Sequence, residues 1–299
     1  MITRVTSTAL MRSAQQNLQG VMGGLAEMRD RATSLKRIGA PSDDPIGTAN
    51  SLQVRAEQRA NDQYKRNISD GLGWLTTVDS TLTNVAGLMD RVRDLTVQGA
   101  NDGAMSPTAK EAIAVELESL RDDLLAQANT SYLGRNIFAG NTDAGHAFEG
   151  ADTATPYAFS GATGSTVERR IDSETTVRVD ADGGAIFGAG PTSVFALVDS
   201  IVTDLRAGTN IGPRLGEIDA RLEVMKGHRA TIGTRHAQMM RAEETNLLQS
   251  VSLETQRSGI EDIDLAKAVL DLQMQEVSYQ SALAVTARVL QPTLMDFLR

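Results

Sequence analysis

Both ends of the chain carry apolar residues at strict helical spacing, and no other feature constrains the fold as much. From Met11 the apolar positions run Met11, Ala14, Leu18, Val21, Leu25, Met28, Ala32 and Leu35, in alternating steps of three and four. Toward the other end, the chain from Ile260 to Leu298 reads as a second amphipathic helix. Ile263, Ala266, Leu270, Val277 and Ala284 lie on one stripe, and Leu265, Val269, Leu272, Leu283 and Leu290 on an adjoining one. A three-four repeat is the seam of a helix that packs along another helix. Two such seams at opposite ends predict a chain folded back on itself, with its termini meeting. The candidate seam is Leu18, Val21, Leu25, Met28 and Leu35 from the first arm, and Leu265, Leu272, Leu283 and Leu290 from the second. That arrangement points to assembly rather than chemistry.

Between the arms the punctuation is sharp. Ile38-Gly39-Ala40-Pro41 predicts the end of the first helix. Pro41, Ser42, Asp43, Asp44 and Pro45 then form a helix-opening motif. Asp44 suits the N-cap and Pro45 the first helical position, where a missing N–H costs nothing and a carboxylate meets the positive helix end. A long heptad follows through Ile68, Gly71, Leu75, Val78, Leu82, Val85, Met89 and Val92, breaking at Gly99 to Gly103. Ser106-Pro107 opens another helix carrying Ile113, Leu117, Leu120, Leu124 and Ala128. From Gly134 to Gly190 helical periodicity disappears. Thr175 to Asp180 alternates as a half-buried strand, and Asp182-Gly183-Gly184 reads as a turn. Helical patterning resumes near Ser193, breaks from Gly208 to Pro213, and continues through Leu215, Ile218, Leu222, Met225 and Ile232 to about Thr255.

The predicted fold is therefore mainly α with a small β-rich insertion: a long coiled-coil-like bundle formed by the N- and C-terminal halves folded back together. The nested order predicts a terminal helical domain (1–41 with 257–299), a helical rod (42–133 with 192–256) and a β-rich outer insertion (134–191), stacked along one axis with both termini at one pole.

Composition excludes several classes of function. A formal net charge of -9, with the densest basic spots, Lys36-Arg37 and Arg169-Arg170, being pairs and not patches, argues against a nucleic-acid partner. With no cysteine there is no disulfide or thiolate chemistry. No apolar run has the length of a membrane span, so no membrane insertion is expected. The start, Met1 to Thr6, lacks a charged leader with an apolar core, so export would not use a cleaved signal. Aromatics at 4%, with one Trp, predict no bulky aromatic core.

Candidate chemistry is correspondingly thin, and no catalytic residue, cofactor or metal is predicted. His228 and His236 are two helical turns apart, too far to share one metal, and read with His146 as surface or interface histidines. Asp43 and Asp44 lack the ligand spacing of a calcium loop. Gly20, Gly23 and Gly24 follow no strand, so they read as small residues for close helix approach or bending rather than a phosphate loop. No nucleophile elbow and no His-Glu-x-x-His motif occurs. One apolar stripe per arm offers less burial than the ordering of some 38 backbone units requires. The arms are therefore expected to be marginal alone and to order within a polymer.

Four stretches now resemble a known family. They are Arg37-Ile38-Gly39-Ala40-Pro41-Ser42-Asp43-Asp44-Pro45; Gly134-Arg135-Asn136-Ile137-Phe138-Ala139-Gly140 with Thr142 and Phe148; Ala230-Thr231-Ile232-Gly233-Thr234-Arg235; and the C-terminal run. That last run comprises Asp262-Ile263-Asp264-Leu265-Ala266, Tyr279-Gln280-Ser281-Ala282-Leu283-Ala284 and Arg288-Val289-Leu290-Gln291-Pro292. Together they resemble the flagellin superfamily, and more closely its hook-associated branch. Filament members usually carry alanine before the two aspartates and lack the prolines. This chain departs from the family at Leu35-Lys36, where a glycine is common, and in the small size of its insertion.

The resemblance implies a structural subunit that joins the hook of the bacterial flagellum to the filament. It would leave the cell unfolded through the flagellar type III export channel and assemble as a ring. Implied partners are further copies of the chain, a neighbouring hook-associated protein, filament flagellin and an export chaperone. The chaperone face would carry Leu272, Val277 and Leu283. The implied terminal helices line the export channel. The rival readings are a filament flagellin and, from another class, an intracellular helical scaffold or signalling module, against which the β insertion weighs.

Overall fold

A computed structural model describes residues 2–101, 105–142, 145–162 and 164–290. Helix α1 spans Ile2–Ser34, α2 Pro45–Gly99 and α3 Pro107–Ala128. Two small antiparallel ribbons follow: β1 (Ser131–Tyr132) with β2 (Arg135–Asn136), and β3 (Glu168–Arg170) with β4 (Thr176–Arg178). Helix α4 (Gly183–Phe187), a 3-10 turn (Gly190–Thr192), α5 (Val194–Arg206), α6 (Arg214–Glu261) and α7 (Leu265–Leu290) complete the order. The fold is mainly helical with a small β insertion. The chain divides into two compact units, one of Met1–Ala60 with Gln249–Arg299 and one of Asn61–Leu248.

Within the second unit the α2 heptad forms the spine. Leu75, Val78, Leu82, Val85, Met89 and Val92 are fully buried with Leu117 and Leu124 of α3, Val198 and Ile201 of α5, and Ile218 and Met239 of α6. Ser106 caps α3 by accepting a hydrogen bond from the Ala109 amide, with Pro107 at the first helical position. Beyond the end of α3 the side chain of Asn129 accepts from the amides of Ala147 (2.7 Å) and Phe148 (2.9 Å) and donates to the Phe148 carbonyl, tying the insertion to the helix. Side-chain amide bonds of this kind satisfy buried loop backbone that no strand partner reaches.

The insertion holds the largest departure from expectation. Five of the six phenylalanines stand within or beside it, and Phe138, Phe148, Phe159, Phe187 and Phe195 meet with Tyr157 in one cluster, ring centroids 5.1–5.8 Å apart. A chain poor in aromatics thus builds an aromatic core by concentrating them where no helical heptad is available. The Tyr157 hydroxyl donates to Asp199 of α5, which Arg121 of α3 also holds at 2.6 Å. Burial and the neighbouring Asp199 push the phenol well above its ordinary range. Trp74 anchors the first ribbon to α2. It lies edge-on to Tyr132 at 5.6 Å, with the guanidinium groups of Arg135 and Arg169 5.9 and 5.7 Å from its ring. Gly71 and Gly73 sit in α2 because Met239 and the Tyr132 hydroxyl occupy the space that a Cβ would need.

Several boundaries differ from the sequence reading. Helix α1 ends at Ser34, short of Gly39, because Leu35 adopts φ 57° and turns the chain out of the helix. Asp182-Gly183-Gly184 is no turn: Asp182 caps α4 by accepting from the Ala185 amide. Helix α6 continues past Thr255 to Glu261. The C-terminal pattern from Ile260 is two helices, since a break at Asp262 to Asp264 separates α6 from α7. There Asp264 accepts from the amides of Ala266 (3.0 Å) and Lys267 (3.2 Å), starting α7 afresh. Asp102 and Gly103 of the expected interhelical break, and the C-terminal pattern beyond Leu290, including Gln291 and Pro292, lie outside the described residues.

Phe148 is 1% exposed and touches Phe159, Phe187 and Phe195. Phe148→Ala is expected to cost the Asn61–Leu248 unit about 3–5 kcal/mol. Urea unfolding followed by the fluorescence of Trp74, the one tryptophan of the sequence, measures this directly.

Candidate assembly surface and the roots of the arms

Helices α1 and α7 pack along each other and run antiparallel: Ile263 donates to the Leu35 carbonyl (3.2 Å), and Gln275 to the Val21 carbonyl (3.3 Å). The α1 stripe turns inward, with Leu25 buried and Leu18, Val21, Met28 and Ala32 half-buried. Facing it, α7 offers a mixed surface of buried Ala268 and half-buried Asp271, Leu272, Gln275, Glu276, Tyr279 and Ala282. An exposed ion pair joins Arg29 to Glu276 at 3.1 Å. Among Gly20, Gly23 and Gly24, only Gly24 serves close approach, since a Cβ there would meet the Gln275 side chain; the others face open space.

The other candidate seam residues lie elsewhere. Leu265 and Leu283 are exposed on α7, as is Val277 of the candidate chaperone face, while Leu35 is exposed beyond the end of α1. The side chain of Leu290 lies outside the described residues. Val269, Leu270, Met274 and Val285 are exposed as well, so α7 keeps broad apolar surface uncovered. Among the described residues of α1 and α7, Leu25 and Ala268 are the buried apolar side chains.

The helix-opening motif is built by two aspartates with separate tasks. Asp44 accepts from the Gly47 amide at 2.8 Å through its side chain and from the Thr48 amide through its carbonyl, an N-cap with Pro45 at the first helical position. Asp43 accepts from the amides of Ala40 (2.9 Å) and Gly39 (3.2 Å), closing the turn that precedes α2. These backbone donors, Ala40 foremost, lower the Asp43 pKa. Pro41 and Ser42 are exposed in that turn, and the Ser42 hydroxyl donates to Asp43 at 3.4 Å.

A buried carboxylate stands at the level where the arms begin. Glu261, 4% exposed, accepts a fork of two bonds from Arg55 (2.6 Å each), one from the Ser51 hydroxyl, and a longer one from Arg257 (3.3 Å). The Arg55 fork, aided by Ser51 and Arg257, brings its pKa down to about 2. Its backbone carbonyl accepts from the Arg37 amide at 2.7 Å, and Lys36 pairs with Asp262 as an isolated antiparallel bridge. In the second unit a buried amide pair, Asn61 and Asn246, bonds reciprocally between α2 and α6 at 2.7–3.2 Å. Sequence reasoning missed Ser51, Arg55, Glu261 and both asparagines. The available signal was a polar residue recurring where the helical pattern calls for an apolar one.

The histidines occupy polar positions: His146 pairs with Glu149 at 2.9 Å, and His236 approaches the Thr76 hydroxyl at 3.4 Å. Among the described residues no group of His, Asp or Glu is placed to share a metal ion, and no helix is long and apolar enough to cross a membrane.

Comparison with known proteins places this architecture. The profile of the bacterial flagellin N-terminal helical region matches residues 4–143, and that of the C-terminal helical region matches residues 215–298. The chain belongs to the flagellin family. Flagellar hook-associated protein 3 of Salmonella typhimurium is 23% identical, over 90% of this chain and 92% of that protein. The protein of that name in Escherichia coli is 24% identical over the same shares. Among solved structures, hook-associated protein-3 of Legionella pneumophila superposes with a TM-score of 0.61 at 14% identity, covering 69% of this chain and 99% of that one. Bacillus cereus FlgL gives 0.59 at 22% identity, over 69% and 99%. The shared fold is that of flagellin-family subunits.

Two outcomes follow from the arm roots. Asp44→Ala removes the cap of α2 and is expected to cost about 1 kcal/mol, read in urea unfolding of the full chain followed by helical circular dichroism. Glu261, lowered from 4.5 to about 2, contributes stability fully present above pH 4.5 and lost as pH falls toward 2. That loss amounts to about 3 kcal/mol and should be blunted in Glu261→Gln, as measured by unfolding at stepped pH.

Proposed function

We propose that this chain is the subunit that joins the flagellar hook to the filament. The observation that carries the reading is a match to hook-associated protein 3 from two organisms over nearly the whole length of both partners. Flagellin B of Vibrio anguillarum, by contrast, is 28% identical over 51% of this chain and 41% of that protein. As a member of this structural family the protein is exported and resides in the flagellum. Its work is mechanical rather than catalytic: it adapts a flexible hook to a stiffer filament.

In this reading residues 1–41 with 257–299 form the inner, channel-lining domain, 42–133 with 192–256 the helical rod, and 134–191 the outer β domain. Copies assemble as a ring between a neighbouring hook-associated protein and filament flagellin. The uncovered apolar faces of α7, with Leu265, Val277 and Leu283, are surface that neighbours would bury in the ring. Before export the same helix is held by a chaperone on Leu272, Val277 and Leu283. The arms gain their full order only in the polymer, because one partner helix gives each of them little buried surface.

A second reading is a filament subunit, favoured by the flagellar filament 33 kDa core protein of Treponema phagedenis, 25% identical over 94% of this chain and 90% of that protein. Quantitative immunoblots of purified flagella fractionated by length separate the two. A joint predicts a constant amount of this chain per flagellum, whereas an amount proportional to filament length would make it a filament subunit. Leu25, the buried apolar centre of α1, gives the companion test. Leu25→Asp is expected to leave Trp74 fluorescence native and to abolish incorporation into flagella; normal incorporation would contradict the role given to the arm seam.

A further inference from the structure

We propose that Glu261 is a clasp that ties the roots of the two terminal arms into one body, so that α1 and α7 dock and release together rather than singly. The chain turns out of α1 at Leu35 and out of α6 at Asp262, and among the described residues the backbone hydrogen bonds between these exits lie at Glu261 and Ile263, on either side of Asp262. Arg37 donates to the Glu261 carbonyl at 2.7 Å, Lys36 bridges Asp262, and Ile263 donates to the Leu35 carbonyl at 3.2 Å. These two backbone hydrogen bonds, which together make up the Lys36–Asp262 bridge, cannot hold two exposed exits together by themselves, because water competes for each. The side chain of Glu261 supplies the missing hold. Its carboxylate is fixed from α2 by Ser51 and the Arg55 fork, and from its own helix by Arg257.

Position explains why a carboxylate stands here and not a leucine. Arg257 also reaches Asp262 at 3.3 Å and Glu254 at 2.7 Å, and Gln58 donates to Glu254 at 3.0 Å. Glu261 is thus the buried centre of a polar network that joins α2, the end of α6 and the turn into α7. An apolar residue would bury equally well but would leave Arg55, Arg257 and the Ser51 hydroxyl without their shared acceptor. The adjoining cleft, about 340 Å³ and lined by Lys36, Ile38, Pro41 and Thr48 beside Ser51, Arg55 and Glu261, lies between the α1 exit and the start of α2.

The test is amide exchange in the full-length chain at neutral pH, resolved at the Arg37 and Ile263 amides, with Trp74 fluorescence reporting the Asn61–Leu248 unit. In the wild type both amides should be protected. In Glu261→Gln both should exchange faster together, by about tenfold or more, with the fluorescence unchanged. Arg55→Gln should reproduce this. Free exchange of the two amides in the wild type would overturn the proposal. So would continued protection in Glu261→Gln, acceleration at only one of the two, or a change in Trp74 fluorescence in that variant.

Discussion

Everything in this structure depends on the first half of the chain pairing with the second. Many ties on the long helices reach far along the sequence: Arg55 with Glu261, Gln58 with Glu254, Asn61 with Asn246, Arg229 with Asp79, Arg93 with Asp219. Closing such separations costs chain entropy before any contact repays it. Buried apolar stripes provide the return where they are dense, along α2 in the Asn61–Leu248 unit. Polar pairs set the register: the reciprocal amide bonds of Asn61 and Asn246 are satisfied in one alignment only, whereas an apolar pair tolerates slippage.

The two compact units spend their residues differently. The larger is sealed by a continuous core that runs from the α2 heptad into the phenylalanine cluster. Among the described residues, the buried apolar side chains of the terminal unit are Leu25, Val54, Leu253 and Ala268, and much of α7 is apolar and exposed. Contiguous apolar surface of this kind marks a face that a neighbour can bury. The contrast between a finished body and unfinished arms fits a chain that is exported and then assembled in the flagellum.

Much of this was legible in the residues. The α2 heptad, the Ser106-Pro107 and Ser193 helix starts and the strand near Val177 followed from periodicity and capping alone. The inward face of α1 was legible too, because its partner surface is satisfied by Leu18, Val21, Leu25 and Met28. The inward face of α7 was not. Leu272 does face α1, but beside it stand Gln275, Glu276 and Tyr279, while the more apolar Val269, Leu270 and Val277 are exposed, so hydropathy alone does not mark the packed side of this helix. The phenylalanine cluster was hidden because its members come from loops and short helices with no common period. Leu35 broke α1 early through a positive φ, a conformation that leucine gives no reason to expect.

A subunit that joins hook to filament occupies one place on each flagellum. Immunogold electron microscopy of sheared flagella from the source organism, with antibody raised to residues 134–191, tests it most directly. A joint subunit gives one band of label per flagellum, at the hook–filament junction. Label distributed along the filament, or flagella that carry none, would contradict it.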